Sequence, residues 1–564
     1  MKSTKLFFYL LVTTTIITSC GSEPKKQNDM NKEMQDFITA YEAKVKPLIK
    51  DMNLAYFDAA VTGKEEAYQK SAKLELEVSK IFANKQDFAK LKELKESGKV
   101  TDPLLKRQLY VLYNSYLSQQ IDEKKMEEMI NLSTQIEQKY SIFRAEVNGK
   151  KLTDNDVEEI LSTSTKDQEV KDAWLSVKKI GPVVATDIIK IVKMRNEVAK
   201  SLGFSNYHEM SLKLGDQDPA EISKIFDELD NLTRDAFAGL KNDIDDFLAK
   251  RFNISKDKLM PWHYQNRFFQ EAPQIYNVDL DGYYKKQDVV ELTSKFFSGI
   301  GLDITDLLKN SDLYEKEGKN QHAFCSDIDN EGDVRVLCNV KPNAKWMNTM
   351  LHEFGHASYD KYIDSTLPYS LREPAHTFTT EAIAMIMGRF ASNPQWIKDM
   401  TGISEQEKTK IAEESFKSLR LEQLVFSRWA QVMYRFEKGL YENPDQDLNK
   451  LWWNIVEKYQ MIKRPADRNE PDWATKVHIA TSPCYYHNYL LGELLASQLF
   501  YTISDKVLKT TDYKSIDFVN KPEVGKFLID KVFFPGSKWY WNDMIENATG
   551  EKLTAKYYAK QFVN

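Results

Sequence analysis

Apolar residues recur every three or four positions through most of this 564-residue chain, the period of an α-helix with one buried face. Phe37, Tyr41, Val45, Leu48, Met52 and Tyr56 form one such stripe. Ile188, Ile191, Val192, Arg195 and Val198 form another, and Gly203 stands where that helix would stop. The strict alternation of half-buried strands is nearly absent from the sequence. The exception is 321–341, where two short apolar runs flank Asn330-Glu331-Gly332-Asp333, so the pattern predicts a β-hairpin there. There is no internal repeat and no low-complexity tract. The expected architecture is mainly α: one large helical unit over 32–564 with a small β element.

The amino terminus reads as a targeting segment. Lys2 and Lys5 precede an apolar run from Leu6 to Ile17, shorter than the roughly 20 residues a spanning helix needs. It ends in Ile17-Thr18-Ser19-Cys20 before Gly21, which resembles the lipobox of bacterial lipoproteins. The expectation is a signal peptide over 1–19, a lipid on Cys20 and a polar tether over 20–31. The protein would be exported and held at a membrane by that lipid, on the periplasmic or outer-surface side. A net charge of -6 argues against a nucleic-acid binder, which would carry a basic face. Only 21 Gly and 17 Pro occur, which argues against long disordered stretches. Cys325, Cys338 and Cys484 remain. In an oxidising compartment Cys325 and Cys338 could close the hairpin, leaving Cys484 as a buried thiol.

The chemistry concentrates after residue 342. Pro342 to Tyr362 reads as a helix with Asn343 as its N-cap, and it carries His352-Glu353-Phe354-Gly355-His356. Histidines four apart lie one turn above each other, so both imidazoles can reach one ion, while the glutamate between them can take a proton from water beside it. A catalytic zinc site needs a third protein ligand. Glu373, His376 and Glu381 are the candidates. Glu381 is favoured, because it begins the apolar run Glu381 to Met387 and a carboxylate buried there needs a partner.

These residues carry a resemblance to the angiotensin-converting-enzyme family of peptidyl-dipeptidases, with the thimet-oligopeptidase-like family as a structural neighbour. Arg195-Asn196-Glu197-Val198-Ala199 with Leu202-Gly203-Phe204 is similar to a helix of both families. Lys476-Val477-His478 and Tyr485-Tyr486-His487-Asn488-Tyr489 are similar to the family's substrate-binding stretch. The resemblance implies two helical lobes over a deep channel, one catalytic Zn2+ held by His352, His356 and Glu381, and Glu353 as the base. It implies Lys476 on the substrate's terminal carboxylate and His478 on a substrate carbonyl. Tyr486 would bind substrate and Tyr489 would stabilise the oxyanion, with Tyr485 an alternative to Tyr486. It also implies a Cys325–Cys338 disulfide and, from the Trp262-His263-Tyr264-Gln265 stretch, a carboxylate contact from Gln265.

The sequence departs from that pattern in three places. Ser326 stands where a histidine would follow the first cysteine, leaving His322 as a substitute. Met385 replaces an aspartate that would support the ligands. His487 and Asn488 stand between the tyrosines in place of a chloride-binding arginine, so chloride activation is not expected. The implied activity is removal of dipeptides from the free C-terminus of short peptides. The alternatives are an endo-acting oligopeptidase and, from another class, a non-enzymatic peptide-binding lipoprotein.

Overall fold

The computed structural model describes residues 29–276 and 278–563; the expected signal peptide, Cys20 and most of the tether lie outside them. Among the described residues, helices run from Met30–Thr62 to Lys556–Phe562. The strands form two antiparallel pairs, Ala145–Val147 with Lys150–Leu152 and Phe324–Asp327 with Val334–Leu337. The fold is mainly α, as the apolar spacing predicts. No described helix is long and apolar enough to cross a membrane.

The first helices pack a small core of their own, with Met34, Ile38, Tyr41 and Val45 against Leu91, Leu109 and Tyr116. The stripe read through Tyr56 does not stay buried to its end. Tyr56 is 44% exposed, whereas Phe57 is 6% exposed, because beyond Ile49 the helix leaves the small core and packs by another face on the second hairpin. Phe57 and Ala60 pack on Ile328 and Leu337 of the second hairpin, and Asn53 Nδ2 donates to the carbonyls of Asp327 and Ile328, each at 3.1 Å. The first helix thus braces the hairpin from outside.

That hairpin turns where the sequence predicts. Asp327 and Asp329 accept backbone N–H groups from the turn, and Gly332 sits at φ +112°, which favours glycine. The pairing register sets Cys325 opposite Val336. Cys338, two residues further on, is therefore diagonal to Cys325 and not opposite it. Diagonal neighbours lie about 7–8 Å apart, beyond the ~4.4–6.8 Å between Cα atoms that a disulfide spans. The expected Cys325–Cys338 disulfide is not formed: both are free thiols, as is buried Cys484. The Cys325 thiol lies 3.9 Å from Asp360 Oδ2.

Behind the hairpin, three helices stack. The motif helix Ala344–Lys361 begins at Asn343, whose Oδ1 accepts from the Trp346 N–H at 2.9 Å. The middle helix, Thr377–Arg389, packs between it and the helix His487–Thr502. Two glycines allow this stack. A Cβ at Gly355 would stand 2.9 Å from Ala384 Cα, and one at Gly492 would stand 3.2 Å from both Glu381 Cβ and Met385 Sδ. Alanine would add about 1 kcal/mol of helix propensity over glycine, but at Gly355 it meets backbone that cannot rotate away. We expect Gly355→Ala to lose about 1–3 kcal/mol of stability, the usual cost of overpacking, and to retain less zinc. Thermal denaturation and metal analysis read the two effects.

Candidate active site

The middle helix starts four residues earlier than the sequence suggests. His376 caps it, its Nδ1 accepting from the Phe378 N–H at 3.2 Å, so Glu381 lies in the second turn and is not a capping carboxylate. There it faces the motif helix. Glu381 Oε2 is 3.7 Å from His352 Nε2 and 3.8 Å from His356 Nε2, and the two imidazole nitrogens are 3.3 Å apart. Burial pushes His352 down to about 4; burial and then His352 push His356 down to about 3. Both rings are neutral at pH 7 and keep lone pairs to offer. Burial pushes the Glu381 carboxyl up to about 7. Two neutral imidazoles and a buried carboxylate, with donor atoms within 4.8 Å of one another, fit a divalent zinc ion. Glu373 is exposed and lies outside this donor group, and His376 Nε2 is engaged with the Gly215 carbonyl at 2.8 Å.

Thr380 is a support that the sequence reading missed. Its Oγ1 lies 2.7 Å from His356 Nδ1, which fixes the ring with Nε2 toward Glu381. A threonine hydroxyl from the same helix thereby does what no carboxylate at Met385 can do. Thr380→Val is expected to weaken zinc affinity about 10- to 100-fold, measured by competition with a chelator of known affinity.

Glu353 is buried beside the donors. Burial and then the charge of Glu381 push its carboxyl up to about 8, with the backbone N–H of Cys325 acting the other way. The hairpin strand therefore lies directly against the proposed base.

The 476–489 segment brings the remaining side chains to the same region. Lys476 Nζ donates to Gln270 Oε1 at 2.6 Å. It sits over the rings of Phe268, Trp429 and Tyr486, at 5.4, 5.4 and 5.3 Å from their centroids. Burial, and then Arg267, push it down to about 8. Tyr486 accepts from Trp429 Nε1 at 2.9 Å, and the His478 ring packs edge-on to it at 5.4 Å. His478 is pushed down to about 4, first by burial and then by Lys476, and its buried Nδ1 has no partner among the described residues. Tyr489 packs against both Tyr485 and Tyr486. Burial raises all three phenols, and the Glu381 charge acts further on Tyr485 and Tyr489 but not on Tyr486. The cluster thus has a carboxylate-ligand side, with Tyr485 and Tyr489, and a lysine side, with Tyr486.

Gln265 does not join this cluster. Its Nε2 donates to the Ser162 carbonyl and its Oε1 accepts from the Gln274 N–H, which ties both ends of the amide to the fold away from Lys476. Gln270, five residues on, is the glutamine at Lys476. His322 is exposed.

The active-site segment is anchored from several helices. Arg195 donates to the Ala480 carbonyl at 2.8 Å, and Glu437 accepts from the Cys484 N–H at 2.8 Å. Gln217 bridges His487 and Asn488, at 2.7 and 2.8 Å. Arg195 therefore acts as a strut for the segment between His478 and Tyr486, while Asn196 ties its own helix to the Tyr441 carbonyl and the Tyr207 N–H.

A His-Glu-x-x-His helix faced by a glutamate on a packed neighbour defines a helical metallopeptidase site. The chain belongs to the angiotensin-converting-enzyme family: the family model Angiotensin-converting enzyme matches residues 28–562. Angiotensin-converting enzyme of Theromyzon tessulatum is 23% identical over 503 residues, covering 81% of this chain and 79% of that protein. The mouse enzyme is 22% identical over 460 residues, 76% of this chain. The match spans only 35% of that mouse protein's own length.

Proposed function

We propose that this protein is a zinc peptidase that removes dipeptides from the free C-terminus of short peptides. The observation that carries the reading is the placement of Lys476, hydrogen-bonded to Gln270 and lodged among three aromatic rings, within one continuous cluster that leads through Tyr486 to Tyr489 and Glu381. A buried cation at a fixed place selects a substrate carboxylate, because charge-assisted hydrogen bonds gain strength away from water. Tyr486 and Gln270 supply neutral donors beside it.

Bound at His352, His356 and Glu381, zinc would polarise the scissile carbonyl and make the attacking water more acidic. Glu353 takes the proton from that water and returns it to the leaving amine. Tyr489 O–H donates to the carbonyl oxygen as negative charge develops there, and neutral His478, packed on Tyr486, offers a second donor to the bound peptide. The aromatic walls around Lys476 keep water from the carboxylate contact. The amino-terminal sequence supports an exported form anchored through Cys20.

The test uses one peptide of about ten residues, as free acid and as C-terminal amide, with a chelator control and mass spectrometry of the products. Stepwise loss of two residues from the free acid alone supports the proposal. Internal cleavage of both forms replaces it with an endo-acting oligopeptidase. No chelator-sensitive cleavage of either form replaces it with a non-enzymatic peptide-binding module.

A further inference from the structure

A cavity of about 970 Å³ opens where the end of the middle helix meets the long helix Glu405–Glu442, the end of the tyrosine-bearing helix and the 511–515 segment. None of the active-site residues above lines it. Its volume lies in the range of small-molecule sites, roughly 300–1,000 Å³.

The lining has two kinds of surface. One wall is aromatic, with Phe390, Phe416, Phe500 and Tyr501. The other carries six cations against three carboxylates. Much of that charge is already matched: Lys408 pairs with Glu405, Lys417 with Glu413 at 2.6 Å, and Arg389 with Glu493 below the floor. Lys514 and Lys560 have no carboxylate partner among the described residues. Lys514 Nζ lies over Phe416 at 5.3 Å, and Lys560 Nζ over Tyr501 at 4.0 Å with Tyr513 Oη at 3.1 Å. Asp512 is the lining carboxylate left to oppose them. Three buried polar atoms in the lining have no hydrogen-bond partner among the described residues: Ser415 Oγ, on a residue 6% exposed, Gln561 Oε1 and Arg389 Nε. Buried polar atoms are seldom left unpaired without a ligand or water in view.

We propose that this cavity binds an amphipathic organic anion, with its carboxylate at Lys514 and Lys560 and its apolar body on the aromatic wall. Occupation bears on the peptidase site. Arg389 follows Glu381 by eight residues of one helix, about 12 Å, and its partner Glu493 follows Tyr489 by one turn. A ligand seated in the cavity packs against Arg389, whose Nε has no partner among the described residues, and so loads the ends of the two helices that carry Glu381 and Tyr489.

The experiment titrates the zinc-loaded chain carrying Lys476→Ala, which weakens carboxylate binding at the peptidase site, with millimolar 4-phenylbutyrate and the neutral 4-phenylbutyramide by calorimetry. The acid is expected to bind at least tenfold more tightly than the amide. A Lys514→Glu/Lys560→Glu chain should bind the acid at least tenfold more weakly, and Ala412→Trp, which fills the cavity, should abolish binding of both, with melting temperature and zinc content unchanged. Absence of binding, equal binding of acid and amide, or binding indifferent to both variants would overturn the proposal. With Lys476 intact, saturating acid should change kcat/KM for a peptide at least twofold, and not in Ala412→Trp. An unchanged rate despite binding would overturn the coupling.

Discussion

Glu353→Gln is expected to lower kcat about 1,000-fold, within the range that general acid–base groups supply, while zinc content stays at one ion per chain. The substitution keeps the shape of the side chain. The amide oxygen can still accept from the Cys325 N–H, and the His352–His356–Glu381 donor set is untouched. What disappears is the proton acceptor one residue from a metal ligand. Initial rates and metal analysis on the same preparation check this; a rate within tenfold of the parent at full zinc would remove Glu353 from the role of base.

The same variant has a second consequence in the metal-free protein. Glu353 is pushed from 4.5 up to about 8 and Glu381 from 4.5 up to about 7 by burial. Both folded-state values lie above the unfolded ones, so these two carboxyls hold more protons in the folded than in the unfolded chain between about pH 4.5 and 8. Their contribution to stability falls as pH rises through that window, while buried His352, His356 and His478, held below their ordinary 6.5, act in the opposite sense below that value. The shift in melting temperature from pH 5.5 to pH 8 should therefore be more favourable in Glu353→Gln than in the metal-free parent. The variant should melt higher than the parent at pH 8. Scanning calorimetry with excess chelator at the two pH values reads the difference; parallel slopes for parent and variant would count against a buried, proton-holding Glu353.

What the sequence made legible follows the distance over which each feature is determined. The motif helix depends on residues within two turns, and its cap, its two histidines and its glutamate all sit where the pattern predicts. Glu381 was legible because a carboxylate in an apolar helical run needs a partner, although the helix start was misread for want of the capping role of His376. The hairpin was legible from its turn, but its cysteine pairing was not. That depends on register, and a two-residue offset separates a diagonal pair from an opposed one. Gln270 and Thr380 were missed for different reasons. Thr380 adjoins a ligand in sequence but acts across the helix pair, so only the packing allowed by Gly355 reveals it. Gln270 lies about two hundred residues from Lys476, and nothing local distinguishes it from Gln265. The large cavity beside the long helix has no linear signature, since its walls come from segments between 386 and 561.

Lys476→Ala is expected to reduce kcat/KM for free-acid peptides about 10- to 100-fold, mostly through KM, and to leave amidated peptides within a few-fold. The range corresponds to loss of one hydrogen bond to a charged group, about 1.5–3 kcal/mol. Lys476→Arg should restore little of the loss, because a planar fork does not fit the point-charge position bounded by Phe268, Trp429 and Tyr486. Gln270→Ala should raise KM in the same direction by a smaller factor, since it removes the group that aims the lysine and not the charge. The pH dependence gives an independent reading. Lys476 is pushed down to about 8, so it is charged at neutral pH and loses its proton as pH passes that value. KM for a free-acid peptide should climb from about pH 8 upward while KM for the amide stays flat; bound carboxylate stabilises the charged form and moves the climb higher at saturating substrate. Parallel KM profiles for acid and amide would separate Lys476 from substrate selection and leave its burial among the three rings to be explained as packing alone.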